Sequence, residues 1–227
     1  MRRLPACLMI FVAIQLVGCA SVPYMPLADD SARVDTSRPL YLMSVVLKNE
    51  YRPRWQPRVL NIILANESGT EKPDLLAFRM DSKGAIKPEN ADGSTTYLVR
   101  FTAESTRYSV RGFNAMASAF PVHTFYNVPL HANVPSFDTG VYYLGAVTAV
   151  IRERQDKEFR AGPVMPLIDQ AVGGASTGTF DIEIIDSYIS DMELFKKTFT
   201  ALKDIEVQSA VLSKWDRSKA QLFWERN

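Results

Sequence analysis

The chain carries almost no net charge of either sign. Its 227 residues include 26 basic and 25 acidic side chains, which gives a formal net charge of +1. A protein that binds nucleic acid without sequence preference presents a strong positive field to the phosphates. The composition therefore predicts no nucleic-acid partner.

Cysteine is scarce, and both copies lie close to the N-terminus. Cys7 and Cys19 are the only two in the chain, so the remaining residues form no internal disulfide and offer no thiol nucleophile. A domain without cross-links depends on its apolar core for stability. A chain of this length is sufficient for one domain of that kind.

The N-terminal apolar run is too short to cross a bilayer as a helix, which requires about 20 apolar residues. It extends from Leu4 to Leu16, follows two arginines, and is interrupted only by Pro5 and Gln15. A basic start, an apolar stretch of about 7–15 residues and small residues after it are the layout of a secretory signal. We predict a signal peptide over residues 1–18.

Four residues close this run, namely Leu16, Val17, Gly18 and Cys19. They resemble the lipobox of bacterial lipoproteins, in which Leu16, Val17 and Gly18 would serve signal recognition. The resemblance implies that Cys19 is acylated through its sulfur, that the chain is cut before it, and that the new amine is acylated too. Each buried methylene contributes about 0.8 kcal/mol, and stable anchoring takes more than one acyl chain. The alternative is a secreted protein with a free thiol near its cleavage site.

The residues after the cysteine indicate a location and a tether. Ala20, rather than an aspartate, follows the cysteine, which by analogy with enterobacterial sorting indicates the outer membrane, with the domain facing the periplasm.

Prolines bracket a polar stretch, so we predict a lipidated N-terminus and tether over residues 19–38. As a flexible coil it would reach about 25 Å, at roughly 5–6 Å × √n. The alternative is a segment that packs on the domain through Tyr24, Met25 and Leu27.

Over residues 39–227, short apolar runs alternate with turn residues. The runs with the composition of strands are Leu40–Leu47, Val59–Ala65, Leu75–Met80, Thr96–Thr102, Arg107–Phe113, Val122–Val128, Val141–Ile151 and Phe180–Ile185. Seven or eight such runs predict a mainly β fold, an antiparallel β-sandwich. In Thr96–Thr102, the side chains of Tyr97, Val99 and Phe101 share one face and Arg100 lies on the other, which predicts a half-buried strand.

One strand is predicted to be apolar on both faces. In Val141–Ile151, one face carries Val141, Tyr143, Val147 and Ile151, and the other carries Tyr142, Leu144 and Val150. A sandwich strand normally buries one face only, so another element must cover the second. Gly145 in mid-strand indicates a bulge or a close backbone approach.

The C-terminal tail, from about residue 187, is predicted to form one or two helices that pack on the sandwich. Ser190 or Asp191 can cap the first helix and Asp216 the last. The apolar residues of these helices are Met192, Leu194, Phe195, Phe199, Ala220, Leu222, Phe223 and Trp224. Aromatic clusters of this kind are usually packed, so we expect the tail to cover the outer face of Val141–Ile151.

The segment Val141-Tyr142-Tyr143-Leu144-Gly145 is similar to a strand of many proteobacterial lipoproteins of uncharacterised function with prealbumin-like or immunoglobulin-like β-sandwiches. The similarity extends over about Tyr97 to Ile151. It implies the fold alone, since those proteins bring no established activity or site residues.

Two motifs have the composition of a catalytic site. Gly174-Ala175-Ser176-Thr177-Gly178 matches G-x-S-x-G, yet that motif requires a strand before the serine, a helix after it and a later histidine. The residues that follow alternate like a strand, and no histidine follows His131.

Asp181 and Glu183 would share a strand face, either as paired carboxylates or as a solvated surface. We favour the solvated surface and predict no catalytic residues and no cofactor.

The two histidines could form part of a metal site. His123 and His131 are eight residues apart and could meet across a bend, with Asp138 as a third ligand. Protein metal sites need three or four converging ligands, and nothing in this spacing requires them. We predict no metal site.

One loop combines arginines with aromatic residues. The candidate contact residues are Tyr51, Arg52, Arg54, Trp55 and Arg58. Arginine beside aromatic rings suits anionic or sugar-bearing partners, which in an envelope are another protein, peptidoglycan or lipopolysaccharide. The alternative is that Trp55 closes one end of the sandwich while the arginines are solvated.

These features predict a lipid-anchored cell-envelope protein with a non-enzymatic binding or structural role in the periplasm, attached to the membrane by its N-terminal lipid. One alternative is an envelope hydrolase of glycan or peptide, which would have a concave pocket with converging titratable groups. Another is an accessory lipoprotein of a secretion or efflux assembly, which would have an exposed apolar patch.

The replacement Cys19→Ser is expected to abolish palmitate labelling and to leave uncleaved precursor, because acylation requires the sulfur. Labelling in cells and gel mobility measure both effects, and Cys7→Ser is the control that should label normally. Unchanged labelling of Cys19→Ser would contradict the lipobox prediction.

Overall fold

The computed structural model describes residues 21–35, 37–69, 73–86, 94–104, 107–164 and 171–226. The elements formed by these residues are β1 (Leu40–Asn49), β2 (Arg58–Asn66), β3 (Asp74–Arg79), β4 (Ala85–Ile86), β5 (Thr96–Thr102), β6 (Tyr108–Ala119), β7 (Val122–Asn133), β8 (Val141–Glu153), β9 (Gly178–Ile185), α1 (Tyr188–Thr198), a 3-10 turn (Thr200–Leu202), β10 (Gln208–Ser209) and α2 (Arg217–Arg226). The predicted signal peptide and lipobox, Leu16, Val17, Gly18 and Cys19, lie outside the described residues. No helix within the described ranges is long and apolar enough to span a membrane.

The strands of the described ranges form two sheets. The four-stranded sheet has the order β3-β2-β6-β7 and is antiparallel throughout. The six-stranded sheet has the order β10-β8-β1-β5-β4, with β9 also paired to β8. The pairs β1–β8 and β10–β8 are parallel, and the other pairs of this sheet are antiparallel. The predicted mainly β sandwich with C-terminal helices is confirmed, with two parallel pairs added to it.

Aromatic and aliphatic side chains from both sheets fill the space between them. Tyr97, Val99 and Phe101 of β5 are buried in this core, as the alternation predicts. The ring of Tyr41 stacks on Phe101 with a centroid distance of 5.2 Å, and its hydroxyl donates to the carbonyl of Pro135 at 2.8 Å. Full burial of one large apolar side chain contributes about 1.5–3 kcal/mol, so this core accounts for a domain without disulfides.

The opposite face of β5 is buried as well, so the half-buried strand predicted from the sequence is wrong. The side chain of Arg100 has 0 % exposure, forms an ion pair with Asp81, and donates to the carbonyls of Pro26 and Leu98 at 2.6 Å each. Its guanidinium also lies 4.1 Å from the ring centroid of Phe199. Burial lowers the pKa of Arg100, and the Asp81 carboxylate opposes that shift. A buried guanidinium is tolerated because the elements that cover it satisfy its donors.

The segment before β1 packs on the domain. Met25 and Leu27 are buried, and the backbone N–H of Met25 donates to the carbonyl of Arg79 at 3.0 Å. The ring of Tyr24 lies 4.0 Å below the guanidinium of Arg79. Of the two alternatives for this segment, the packed one holds for Tyr24 to Leu27.

Helix α1 and the turn after it cover the outer face of the six-stranded sheet. Val141 and Tyr143 of β8 pack there in one apolar cluster with Met192, Phe195, Phe199 and Leu202. Gly145 has φ +108°, and the β1–β8 register shifts at this point. Because of this bulge, Val147 and Ile151 lie in the inter-sheet core with Leu144, and the predicted division of faces beyond Gly145 is wrong.

A buried carboxylate attaches α1 to the sheet. The hydroxyls of Ser44 and Tyr143 donate to Oδ2 of Asp191 at 2.5 and 2.6 Å. The helix begins at Tyr188 after Ser187, so Ser190 and Asp191 do not cap it as predicted. The reason is that the Asp191 carboxylate points inward, while Oδ1 of Asp186 accepts from the Tyr188 N–H at 3.0 Å.

Helix α2 lies at the side of the sandwich, between β7 and β9. Asp216 caps it as predicted, because Oδ1 accepts from the N–H groups of Ser218 and Lys219 at 2.9 and 3.3 Å. The Trp215 indole donates to the carbonyl of Pro129 at 2.8 Å, and Arg217 forms ion pairs with Glu158 and Asp181. These contacts fix α2 away from the outer face of β8, so the prediction that the last helix covers that face is wrong.

The replacement Asp81→Asn is expected to lower the free energy of unfolding by about 3–5 kcal/mol, because it leaves the Arg100 charge buried without its partner. Urea denaturation measures this change. The control is Asp35→Asn, which removes the exposed ion pair with Arg38 and should change the free energy of unfolding far less, because exposed ion pairs contribute little. A similarly small loss in Asp81→Asn would contradict the role assigned to the buried pair.

Candidate binding site

The outer face of the four-stranded sheet carries a groove of about 740 Å³. Its floor includes Ile63 of β2, Asn114 of β6 and Asn127 of β7. These side chains alternate along their strands with residues of the inter-sheet core, so they lie on the opposite face. The strand registers place Asn114 directly beside Asn127. The floor therefore combines aliphatic and amide groups.

A glycine fixes how closely β6 and β7 approach under the groove. A Cβ atom on Gly112 would lie 1.8 Å from the carbonyl oxygen of Val128, so no larger residue fits while β7 keeps this path. The register of β6 and β7 shifts next to this position. The groove therefore forms where β7 is bulged and its backbone is brought toward β6.

Helix α2 and the segment before β9 form two walls. Phe223 and Trp224 of α2 line the groove, and the Phe223 ring lies 4.4 Å from the ring of His131. The carbonyl of Ala161 accepts from the Asn127 N–H at 2.8 Å, which holds the segment 159–163 along β7. Leu75 of β3 borders the opposite side. The groove is thus built by elements that are distant in sequence.

Two arginines give the groove a positive charge. The Nε atoms of Arg111 and Arg160 are buried and have no hydrogen-bond partner. The Arg111 guanidinium lies 3.4 Å from the carboxylate of Glu67, which also accepts from the Ser109 hydroxyl at 2.6 Å. A buried donor without an acceptor is unfavourable by about 1–3 kcal/mol. Both guanidinium groups line the groove, so an anion bound there would offset their positive charge.

A smaller recess of about 460 Å³ adjoins the groove and also contains Arg111. Its charged lining residues are Arg107, Arg111 and Lys219 together with one acid, Glu67, so its described lining is mainly basic. The Lys219 ammonium donates to the carbonyl of His131 at 2.6 Å. Burial, followed by the positive charges of Arg111 and Lys219, lowers the pKa of His131 to about 4. His131 is therefore neutral at neutral pH.

The two histidines that could have met across a bend lie far apart. His123 contacts the Ser118 hydroxyl at 2.9 Å near the start of β7, whereas His131 lies near the end of the same strand. Eight residues of strand span about 26 Å, so the two rings cannot share an ion. Within the described residues, no three His, Cys, Asp or Glu side chains converge to hold a metal.

Of the two carboxylates considered for catalysis, Asp181 is engaged in ion pairs with described residues. Arg152 and Arg217 donate to Asp181 at 2.8 and 2.5 Å, and Glu183 is exposed. Hydrogen bonds from Arg152 lower the pKa of Glu158, in the same network, to about 2. These ion pairs join α2 to β8 and β9.

The serine motif adopts the geometry of a turn. Ser176 lies in the turn 171–177, which leads directly into strand β9. A nucleophile elbow would continue into a helix. This conformation agrees with the sequence argument against a nucleophile elbow.

The predicted contact loop lies at one end of the sandwich. Its ring residues Tyr51 and Trp55 are half-buried and pack against the core, whereas Arg52, Arg54 and Arg58 are exposed. The packing of Trp55 agrees with the alternative in which it closes the end of the sandwich.

A single asparagine organises this loop. The Asn49 side-chain amide donates to the carbonyls of Trp55 and Gly173 at 3.0 and 2.9 Å, and its Oδ1 accepts from the Arg52 N–H at 2.8 Å. The guanidinium of Arg52 lies 4.4 Å from the ring centroid of Tyr51. The loop therefore presents its arginines from a hydrogen-bonded framework.

Comparison of the chain with protein-family models, with curated proteins and with solved structures finds no match in any of the three. Fold and site together define a two-sheet β-sandwich with a positively charged, partly apolar groove on one outer face.

The free energy of unfolding is expected to decrease as pH falls from 6.5 to 4, because unfolded His131 takes up a proton near pH 6.5 while the folded side chain stays neutral until about pH 4. At roughly 1.4 kcal/mol per pKa unit, this amounts to about 3 kcal/mol. Denaturant titrations at several pH values measure it.

His131→Gln should flatten this part of the pH profile, and His123→Gln, outside the groove, is the control. If the His131→Gln profile runs parallel to the wild-type profile between pH 6.5 and 4, His131 is not the source of this pH dependence.

Proposed function

We propose that this chain is a lipid-anchored protein of the bacterial cell envelope that binds a partner or ligand and does not catalyse a reaction. Cys19 would carry the lipid, and the domain would face the periplasm from the outer membrane. The observation that carries the binding role is the composition of the groove. Its described lining residues supply guanidinium, amide, imidazole and aromatic groups, with no carboxylate and no hydroxyl or thiol among them.

The arrangement of the carboxylates favours binding over hydrolysis. Asp181 and Glu158 are bonded to Arg152 and Arg217, and Asp191 is bonded to two buried hydroxyls. Glycan hydrolysis typically uses two carboxylates that flank the substrate. Carboxylates that already bond to other side chains and hold helices in place are poorly suited to glycan hydrolysis.

The packed N-terminal segment implies a short tether. Because Met25 and Leu27 are buried, the free linker would extend only from Cys19 to about Pro23. Four residue steps span at most about 14 Å, less than the 25 Å expected of a fully flexible tether. An anchored domain would be confined close to the bilayer, which raises its effective concentration near partners in the same membrane.

The contact loop is the second surface that supports this proposal. Arg52, Arg54 and Arg58 project from a framework held by Asn49, and arginine provides planar donors for phosphate and carboxylate groups. An envelope protein, peptidoglycan or lipopolysaccharide would supply such groups. We therefore assign macromolecular contact to this loop.

Replacing Arg52, Arg54 and Arg58 together with Gln is expected to remove cross-linked envelope partners in intact cells and to leave the melting temperature unchanged, because the three side chains are exposed. Chemical cross-linking and thermal denaturation measure the two effects. Trp55 is kept in this variant, since it packs against the core.

The matched control replaces the exposed Lys197 and Lys203 with Gln and should retain the cross-linked partners. Retention of the same partners by the triple arginine variant would contradict the contact role. A large fall in its melting temperature would instead assign the arginines to stability.

A further inference from the structure

We infer that the groove binds a small aromatic anion, whose acidic group pairs with Arg111 and Arg160 while its rings lie against Phe223 and Trp224. This inference rests on the proposed function in taking the groove as a binding site, and it does not depend on the lipid anchor.

The charge of the ligand follows from the two guanidinium groups. The Nε atoms of Arg111 and Arg160 are buried without acceptors, and Arg160 forms no ion pair with any described residue. Glu67 partly neutralises Arg111 from 3.4 Å. Both arginines line the groove, so a bound carboxylate, phosphate or sulfonate group would pair with their positive charges, and charge-assisted hydrogen bonds to such groups are about twice as strong as neutral ones.

The apolar part of the ligand is inferred from the exposed apolar side chains at the edge of the groove, which we call its rim. Leu75, Phe223 and Trp224 keep 63 %, 40 % and 38 % of their surface exposed around the groove. Apolar side chains that surround a concave site mark a surface that gains stability when covered. Aromatic ligands suit this rim because rings pack favourably edge-to-face or offset against other rings.

The size of the cavity sets an upper limit on the ligand. A volume of about 740 Å³ lies within the range of pockets that hold small molecules, roughly 300–1,000 Å³. His131 is neutral and therefore adds no charge beside the anion, and its ring is tilted by 43° against the ring of Phe223. The groove thus offers one positive subsite beside one aromatic subsite.

The test uses the full acylated chain in phosphatidylcholine nanodiscs. Isothermal titration compares naphthalene-2-sulfonate with naphthalene-2-sulfonamide, which has the same rings and no charge, and subtracts the signal of empty nanodiscs. We expect saturable binding of one sulfonate per chain and at least about tenfold weaker binding of the sulfonamide, since hydrogen bonds to a charged group contribute more to affinity.

Two groove variants and one control locate the site. Arg111→Gln and Arg160→Gln should each weaken sulfonate binding by about tenfold or more. Arg33→Gln removes an exposed arginine in the segment before β1, away from the groove, and should leave the affinity unchanged. If Arg111→Gln fails to fold because Glu67 loses its partner, Arg160→Gln decides the outcome.

Three results would overturn the inference, namely no saturable binding of the sulfonate, equal binding of the sulfonamide, or equal weakening by Arg33→Gln. The failure of the lipid anchor is a separate result. A chain that carries no acyl group is titrated directly in buffer, so loss of palmitate labelling and loss of ligand binding are distinguishable.

Discussion

The fold depends on one buried charge, the guanidinium of Arg100. Its partners come from three parts of the chain: Asp81 from the turn before β4, Pro26 from the segment before β1 and Phe199 after α1. Burying a charge is unfavourable by several kcal/mol unless its donors are satisfied. These three segments are therefore held together on the outer face of the six-stranded sheet, which they close to solvent.

This closure makes the two outer faces of the sandwich unequal. On the six-stranded sheet, α1 is attached through Asp191 and covers the apolar side chains of β8. On the four-stranded sheet, α2 is held at one side by the ion pairs of Arg217, and the groove remains open. A stable, covered face thus supports an opposite face that is available for binding, consistent with the general rule that sites are built on rigid scaffolds.

The sequence predicts features that neighbouring residues determine, and it does not predict features that depend on contacts between distant segments. Alternation in β5 correctly predicts Tyr97, Val99 and Phe101 in the core, and Asp216 is correctly predicted as a cap. The position of α2 could not be predicted, because it depends on ion pairs between Arg217 and residues far away in the chain. The groove was missed for the same reason. Arg111 and Arg160 line the same groove only through strand register and the docking of residues 159–163. The local signal is limited to polar residues such as Arg111 and Asn114 in β6, which do not by themselves indicate a groove.

We propose that the outer face of the four-stranded sheet is the surface that binds the ligand. Hydrogen–deuterium exchange of the full chain, with and without naphthalene-2-sulfonate, tests this proposal. We expect ligand-dependent protection in residues 108–131 and 217–226, which form the groove, with residues 50–58 unchanged. Protection in the loop alone, or no protection in the groove strands and α2 at saturating ligand, would contradict this account.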